Sequence, residues 1–381
     1  MREPAGTRRI ALVASSFHPH TGGVEEHVRH VARELASMGY KVAVWTVDRG
    51  ERLGRSEVDG VEVRYLPCPL PARSFGALVR FAARLPVAAW AWWSAFWSLR
   101  PDVLHVHCFG PNGVYALALH LLTRTPLVVT SHGETFADDH AVYDRSALLR
   151  KALRLAIARA SAVTAPTQFV LADLRSRFGL SDGSVVPNGI DAEPPAAEHV
   201  DLPVSRPLVL AVGRVEQMKG FDLLLEAMAD PQLASAHVAI GGAGSEVAAL
   251  RSLAGELGLS ERVRFLGRLT PGQVTTAMAS ADVVVVPSRR EAFGIVALEA
   301  WRSGTPLVGT VQGGMPEVVT GGIDGLLVDP TDVTALSAAL RRLIRDGPLR
   351  ARLVSAGRQR VEDYAWSRVA ATYAECYRGV S

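Results

Sequence analysis

At 381 residues, the chain is long enough for two ordinary α/β domains, each burying its own core. A hydrophobic content of 48% and a charged content of 21% exclude a disordered or low-complexity protein. The formal net charge of +3 comes without any arginine-lysine block or aromatic-basic interleaving; it does not indicate nucleic acid and allows only weak attraction to an anionic surface. Cys68, Cys108 and Cys376 are odd in number and far apart. Neither a disulfide framework nor a zinc site is expected, and a cytoplasmic setting fits. The polar residues 1–9 and the short apolar run after them do not read as a secretion signal.

Residues 9–14 form an apolar run expected as a buried strand. A loop follows with Pro19 and the pair Gly22-Gly23, then a helix on which Val24, Val28, Val31 and Leu35 recur at helical spacing. With the strand expected over 41–47, this β-loop-α-β unit opens a doubly wound domain. Glycines at a helix start let another backbone or a phosphate approach closely, although a plain turn would look the same. A further strand is expected over 61–66. The region 74–99 is helical and carries Trp90, Trp92, Trp93, Phe96 and Trp97. Its uncharged part, 85–99, is shorter than the roughly 20 residues of a membrane span. It reads as a buried helix pair, with an interfacial, membrane-touching or acceptor-binding face as the alternative.

The strand expected over 101–107 puts His105 and His107 on one face, with no convincing third ligand for a metal. The next strand, 126–131, ends at His132-Gly133. A histidine at the carboxyl tip of a strand is a candidate for function. An amphipathic basic helix over 147–160, a short strand over 162–167 and a helix over 169–178 complete the first half. The proline-rich stretch 193–207 is the best linker in the chain.

The second half repeats the grammar, with strands over 208–212, 237–241, 263–267, 283–286, 305–309 and 326–328, and helices over 221–228 and 333–344. Arg214 and Lys219 bracket the loop after its first strand. Two cations at a strand tip suit a diphosphate: arginine forks two oxygens and lysine acts as a point charge. The turn Gly241-Gly242-Ala243-Gly244 could cradle phosphate or merely turn. After the strand 283–286 come Glu291, Phe293, Gly294 and Ile295, then Glu299 about one turn into a helix. In open α/β sheets this is where ligands bind, and helix-terminal N–H groups favour an anion. Two carboxylates beside an anion site point to a ligand with both phosphate and hydroxyls, such as a nucleotide sugar.

The ordered set Gly22-Gly23-Val24-Glu25, Pro187-Asn188-Gly189-Ile190-Asp191, Gly213-Arg214 with Lys219-Gly220, and Glu291 to Glu299 resembles the retaining GT-B glycosyltransferases of family 4 along essentially the whole chain. That resemblance implies two Rossmann-like domains facing each other across a cleft. The expected divisions are 1–192, a linker 193–207, 208–364, and a final helix 365–381 crossing back. It also implies roles. Arg214 and Lys219 would hold the donor diphosphate, Glu291 the transferred sugar's hydroxyls and Glu299 the ribose hydroxyls. Phe293, Gly294 and Ile295 would offer backbone N–H groups, Leu266 would lie beside the base, Gly22 and Gly23 by the distal phosphate, and His132 by the sugar. Arg214, Lys219, Glu291 and His132 are the expected catalytic set, with no cofactor and no obligatory metal. UDP-sugar is the leading donor. The acceptor, small-molecule or lipid-linked, is open, as is peripheral membrane contact. An epimerase or hydrolase on the same fold, and a non-catalytic sugar-nucleotide-binding protein, are the rival readings.

Overall fold

The computed structural model describes residues 8–20, 22–71, 74–136, 142–203 and 205–380. They divide into two compact units, Met1–Asn188 with Trp366–Ser381, and Gly189–Ala365.

The first unit runs β1 (Arg9–Ala14), α1 (Gly23–Ser37), β2 (Lys41–Val47), β3 (Arg55–Val58), β4 (Val61–Leu66), α2 (Phe75–Leu99), β5 (Val103–His107), α3 (Pro111–Thr123), β6 (Leu127–Thr130), α4 (Val142–Arg145), α5 (Ala147–Arg159), β7 (Ala162–Ala165), α6 (Gln168–Phe178) and β8 (Ser184–Val185). Its sheet has the order β3-β4-β2-β1-β5-β6-β7-β8. Every pairing is parallel except the edge hairpin β3–β4, which the sequence reading missed. The central strands are buried on both faces, which is why they read as continuous apolar runs. Helix α3 was also missed; Pro111 in its first turn, a favoured place for proline, looked like part of a loop.

The region 74–99 is one helix rather than a buried pair. The Ser74 side chain caps it by accepting from the Ala77 N–H, and the helix continues through Pro86. Only Ala88, Trp92, Ala95, Phe96 and Leu99 are buried.

The second unit contains β9 (Leu208–Val212), α7 (Phe221–Met228), β10 (His237–Gly241), α8 (Val247–Glu256), β11 (Val263–Gly267), α9 (Pro271–Ser280), β12 (Val283–Val286), α10 (Ile295–Ser303), β13 (Leu307–Thr310), β14 (Leu326–Val328), α11 (Val333–Arg345) and α12 (Gly347–Arg360). Its parallel sheet has the order β11-β10-β9-β12-β13-β14. The direction of winding reverses between β9 and β12. The loops after those two strands therefore lie side by side at the carboxyl edge, where such sheets open a crevice. Within the stretch 193–207, Val200 and Leu202 pack on this unit's core, and Thr270 donates to the Glu198 carboxylate at 2.6 Å.

The chain leaves the second unit beside its point of entry, where the Ile190 N–H meets the Tyr364 carbonyl at 2.8 Å. The last helix, α13 (Trp366–Gly379), belongs to the first unit. Its Trp366, Val369, Tyr373 and Tyr377 join Val28, Val31 and Leu35 of α1 in one core.

Candidate functional site

In the second unit, the loop after β9 turns through residues 217–219 and ends at Gly220. The backbone there has φ +65, and a Cβ would run into the Pro287 carbonyl at the end of β12. That close approach, open only to glycine, delivers Lys219 to the β12 loop. Its Nζ donates to Glu291 Oε2 at 2.7 Å, and Ser288 Oγ donates to the same oxygen at 2.9 Å. The Glu291 backbone is clamped from the other side: its N–H reaches the Gln312 carbonyl at 3.1 Å, and its carbonyl accepts from Gly314 at 2.7 Å. Burial pushes the Glu291 carboxyl up, but the charge and hydrogen bond of Lys219, with donors from Ser288 and Ala292, outweigh it and hold the pKa below the usual value.

Phe293 is buried against Tyr364, with ring centroids 5.9 Å apart. Gly294, at φ +92, sits at the start of α10. Among the described residues no side chain caps that helix; the Ala297 N–H turns back to the Gly294 carbonyl at 2.9 Å, and the start of α10 lies on the loop at the carboxyl end of β12. Glu299 follows within α10, near Arg302. Burial raises its carboxyl to about 7, with the Arg302 charge pulling the other way. Arg214 is exposed on the loop before Lys219, and the Gly241–Gly244 turn docks on that loop through the Val215 N–H to the Ala243 carbonyl, 3.0 Å. Leu266 is part-buried on the edge strand β11. Three strand spacings, about 14 Å, separate β11 from β12.

The first unit builds a separate polar cluster. His132 lies two residues beyond β6. Glu134 fixes that loop by accepting from the His132 N–H at 2.7 Å, Ser131 Oγ at 2.9 Å and the Phe109 N–H at 3.1 Å. His132 Nε2 is 3.2 Å from His107 Nδ1. His105 bonds Tyr377 at 2.6 Å and Thr130 at 2.7 Å; His27 bonds Asn188 at 2.9 Å and Tyr373 at 3.1 Å. Burial holds His27 and His107 well below the usual imidazole range, His105 at about 3 and His132 at about 4. All four are therefore neutral at neutral pH.

His27, His107 and His132 place ligand atoms within 4.8 Å of one another, so the third imidazole not evident from sequence is supplied by α1. Both His27 nitrogens are already engaged, however, and ligation of an ion would cost one of those bonds. His107 Nε2 is buried and has no hydrogen-bond partner among the described residues. At the start of α1, the Glu25 carboxylate lies where a Cβ on Gly22 would project, and Gly23 is the first helical residue.

Sequence reasoning missed His27, Glu134, Ser288 and the two tyrosines of α13. Glu134 alone carried a local signal, standing two residues past His132.

Two doubly wound, mainly parallel-sheet units, with Lys219, Glu291 and the start of α10 at the switch point of the second, are the architecture of the GT-B class. Residues 21–194 match the model for Glycosyltransferase Family 4, and residues 196–360 that for Glycosyl transferases group 1. The D-inositol 3-phosphate glycosyltransferase of Nocardiopsis dassonvillei is 30% identical over 425 residues, covering 99% of this chain and 96% of that protein. Its counterpart in Corynebacterium efficiens is 28% identical over 416 residues, covering 98% and 97%. Sucrose-phosphate synthase from Thermosynechococcus elongatus superposes with a TM-score of 0.81 at 24% identity, over 97% of this chain and 98% of that one. Anabaena HepE in complex with UDP-glucose gives 0.75 at 21% identity, over 97% and 100%. The chain belongs to the group 1, family 4 glycosyltransferases.

Proposed function

We propose that the protein is a retaining hexosyltransferase that moves a sugar from a nucleoside-diphosphate donor, most simply a UDP-sugar, to an acceptor hydroxyl. The observation that carries this reading is the Lys219–Glu291 pair beside the α10 N-terminus. An ammonium group has three N–H donors. One is spent on Glu291, which leaves two for diphosphate oxygens. Lys219 and Ser288 both meet Glu291 at Oε2, and the carboxylate, with about four lone-pair sites, keeps acceptor capacity for a sugar hydroxyl. One residue pair thus joins the sugar and the leaving group. Arg214 adds a second cation for the diphosphate, the N–H groups around Phe293, Gly294 and Ile295 hold the polar end of the ligand, Glu299 takes the ribose hydroxyls, and Leu266 flanks the base. In the first unit, Gly22 and Gly23 are assigned to the phosphate and His132 to the sugar.

In the front-face reaction, the anomeric C–O bond to phosphate breaks and the acceptor oxygen bonds to that carbon on the same face. The departing phosphate takes the acceptor proton. The protein supplies orientation and charge stabilisation. The acceptor is a small or lipid-linked hydroxyl compound, and the relatives named for D-inositol 3-phosphate make a polyol phosphate the first soluble acceptor to try.

The test is a donor-by-acceptor screen with product stereochemistry read by NMR. Retention of the donor's anomeric configuration is expected. Inversion would end the front-face reading, and donor turnover that ignores every acceptor would favour a hydrolase or epimerase.

A further inference from the structure

The outward side of α2 carries an apolar row that is aromatic at both ends. Phe75, Val79, Pro86, Trp90, Trp93 and Trp97 succeed one another at steps of three, four or seven, which places them along one line of the helix. Phe75 is 83% exposed and Trp90 71%, and Val79, Trp93 and Trp97 are also exposed. The opposite side is anchored: Trp92 is buried, donates to the Pro67 carbonyl at 3.1 Å and stacks on Tyr115 at 5.4 Å. The helix is thus held by one face, and its other face presents about 33 Å of apolar surface to water. Isolated exposed apolar residues are ordinary, but a contiguous row of this length marks a surface that binds something.

We propose that this face docks the protein on an anionic lipid bilayer, with α2 lying in the interfacial plane. The charge pattern selects that occupant. Between Glu62 and Asp102 there is no carboxylate, whereas Arg80, Arg84 and Arg100 are exposed, and Arg100 lies 5.3 Å over the Trp97 ring. Tryptophan beside arginine is the chemistry of the membrane–water boundary, and the cations meet acidic headgroups there. A second copy of this chain fits less well. Twofold packing of the row on itself would bring arginines together with no acid on the row to pair them. A membrane span is not the reading either, because no helix among the described residues is long and apolar enough to cross a bilayer. The surface is independent of the sugar and acceptor assigned to the transfer reaction.

The test uses the full chain and sedimentation with vesicles of phosphatidylcholine mixed with phosphatidylglycerol, against phosphatidylcholine alone. The expected result is salt-sensitive binding to the mixed vesicles with a blue shift of tryptophan emission. The double variant Trp90→Glu, Trp97→Glu should bind at least about tenfold more weakly. Arg80→Gln with Arg84→Gln should lose about thirtyfold on the mixed vesicles and little on the neutral ones. Because these side chains are exposed, unchanged thermal melting identifies folded variants. The proposal is overturned if the wild type fails to sediment with anionic vesicles, or if the variants bind as the wild type does. It is also overturned if the protein instead forms a concentration-dependent dimer that Trp90→Glu, Trp97→Glu abolishes.

Discussion

Lys219 Nζ and Glu291 Oε2, 72 residues apart in sequence, meet at 2.7 Å with Glu291 buried and Lys219 only a quarter exposed. The pair converts two residues with separate expected duties into one unit. Lys219→Met should lower kcat about 100-fold or more, since a transition-state donor is lost. It should also lower stability by about 1–3 kcal/mol, because a buried carboxylate is left without its cation and partial exposure softens the cost. Adding Glu291→Gln should restore the melting temperature without restoring turnover. If the double variant regains activity, the pair is structural only.

Glu299 makes the stability of the second unit depend on pH. Burial raises its carboxyl to about 7 from 4.5, so between those values the folded chain holds a proton that the unfolded chain has lost. Its contribution to stability is fully present below about pH 4.5 and disappears as pH rises through about 7. Glu299→Gln removes that penalty and should stabilise the protein at about pH 8 by about 1–3 kcal/mol. Donor KM should rise in the same variant, because an amide accepts ribose hydroxyls less well than a carboxylate. A thermal melt and a donor titration on one preparation check both. An unchanged KM would remove Glu299 from the site.

The inner strands of both sheets were legible because they are apolar, largely β-branched runs, several stopped by glycine or proline, as at residues 283–287; the edge strand β3, Arg55–Val58, carries no such run. Glu291, Gly294 and Glu299 could be placed for the same reason: their positions follow from where β12 ends and α10 begins. The Lys219–Glu291 contact could not be read, since it depends on Gly220 seating against Pro287, a backbone approach that leaves no periodic trace. His27 was hidden differently. Within α1 it sits among charged residues, and the groups that surround it, Asn188, His132 and Tyr373, arrive from distant parts of the chain. The aromatic helix was ambiguous because both of its faces are apolar. Trp92 and Trp93 are neighbours in sequence, yet the first is buried and the second exposed.

The buried histidines make the first unit acid-sensitive. Their folded pKa values lie below the unfolded 6.5, at about 4 for His132 and about 3 for His105, so they contribute stability above about pH 6.5. As pH falls below that value the unfolded chain takes up protons that the folded cluster refuses, and the contribution is gone once pH has passed through the folded values. For His132 and His105 the expected loss is on the order of 3–5 kcal/mol each. Glu134, raised by burial, works in the other direction, but it is one group against four. Calorimetry from pH 7 downward should show the transition of the first unit falling before that of the second, with a shallower slope in His132→Gln. Equal acid sensitivity in the two units would contradict a neutral cluster.

The last helix closes that cluster, and its hydroxyls can be removed singly. Tyr377→Phe strips the partner 2.6 Å from His105 Nδ1 and leaves a buried ring nitrogen unpaired, a loss of about 1–3 kcal/mol. Tyr373→Phe should do the same to His27 through the 3.1 Å bond. Neither change alters ring packing, so the loss reports the hydrogen bond rather than the core. Ending the chain after Ala365 is more drastic, because it uncovers Val28, Val31 and Leu35 of α1 along with both histidines. That truncated chain should lose the calorimetric transition of the first unit and keep that of Gly189–Ala365. Two intact transitions in the truncated protein would show that α13 is dispensable to the first unit, and the single-tyrosine losses would then need another cause.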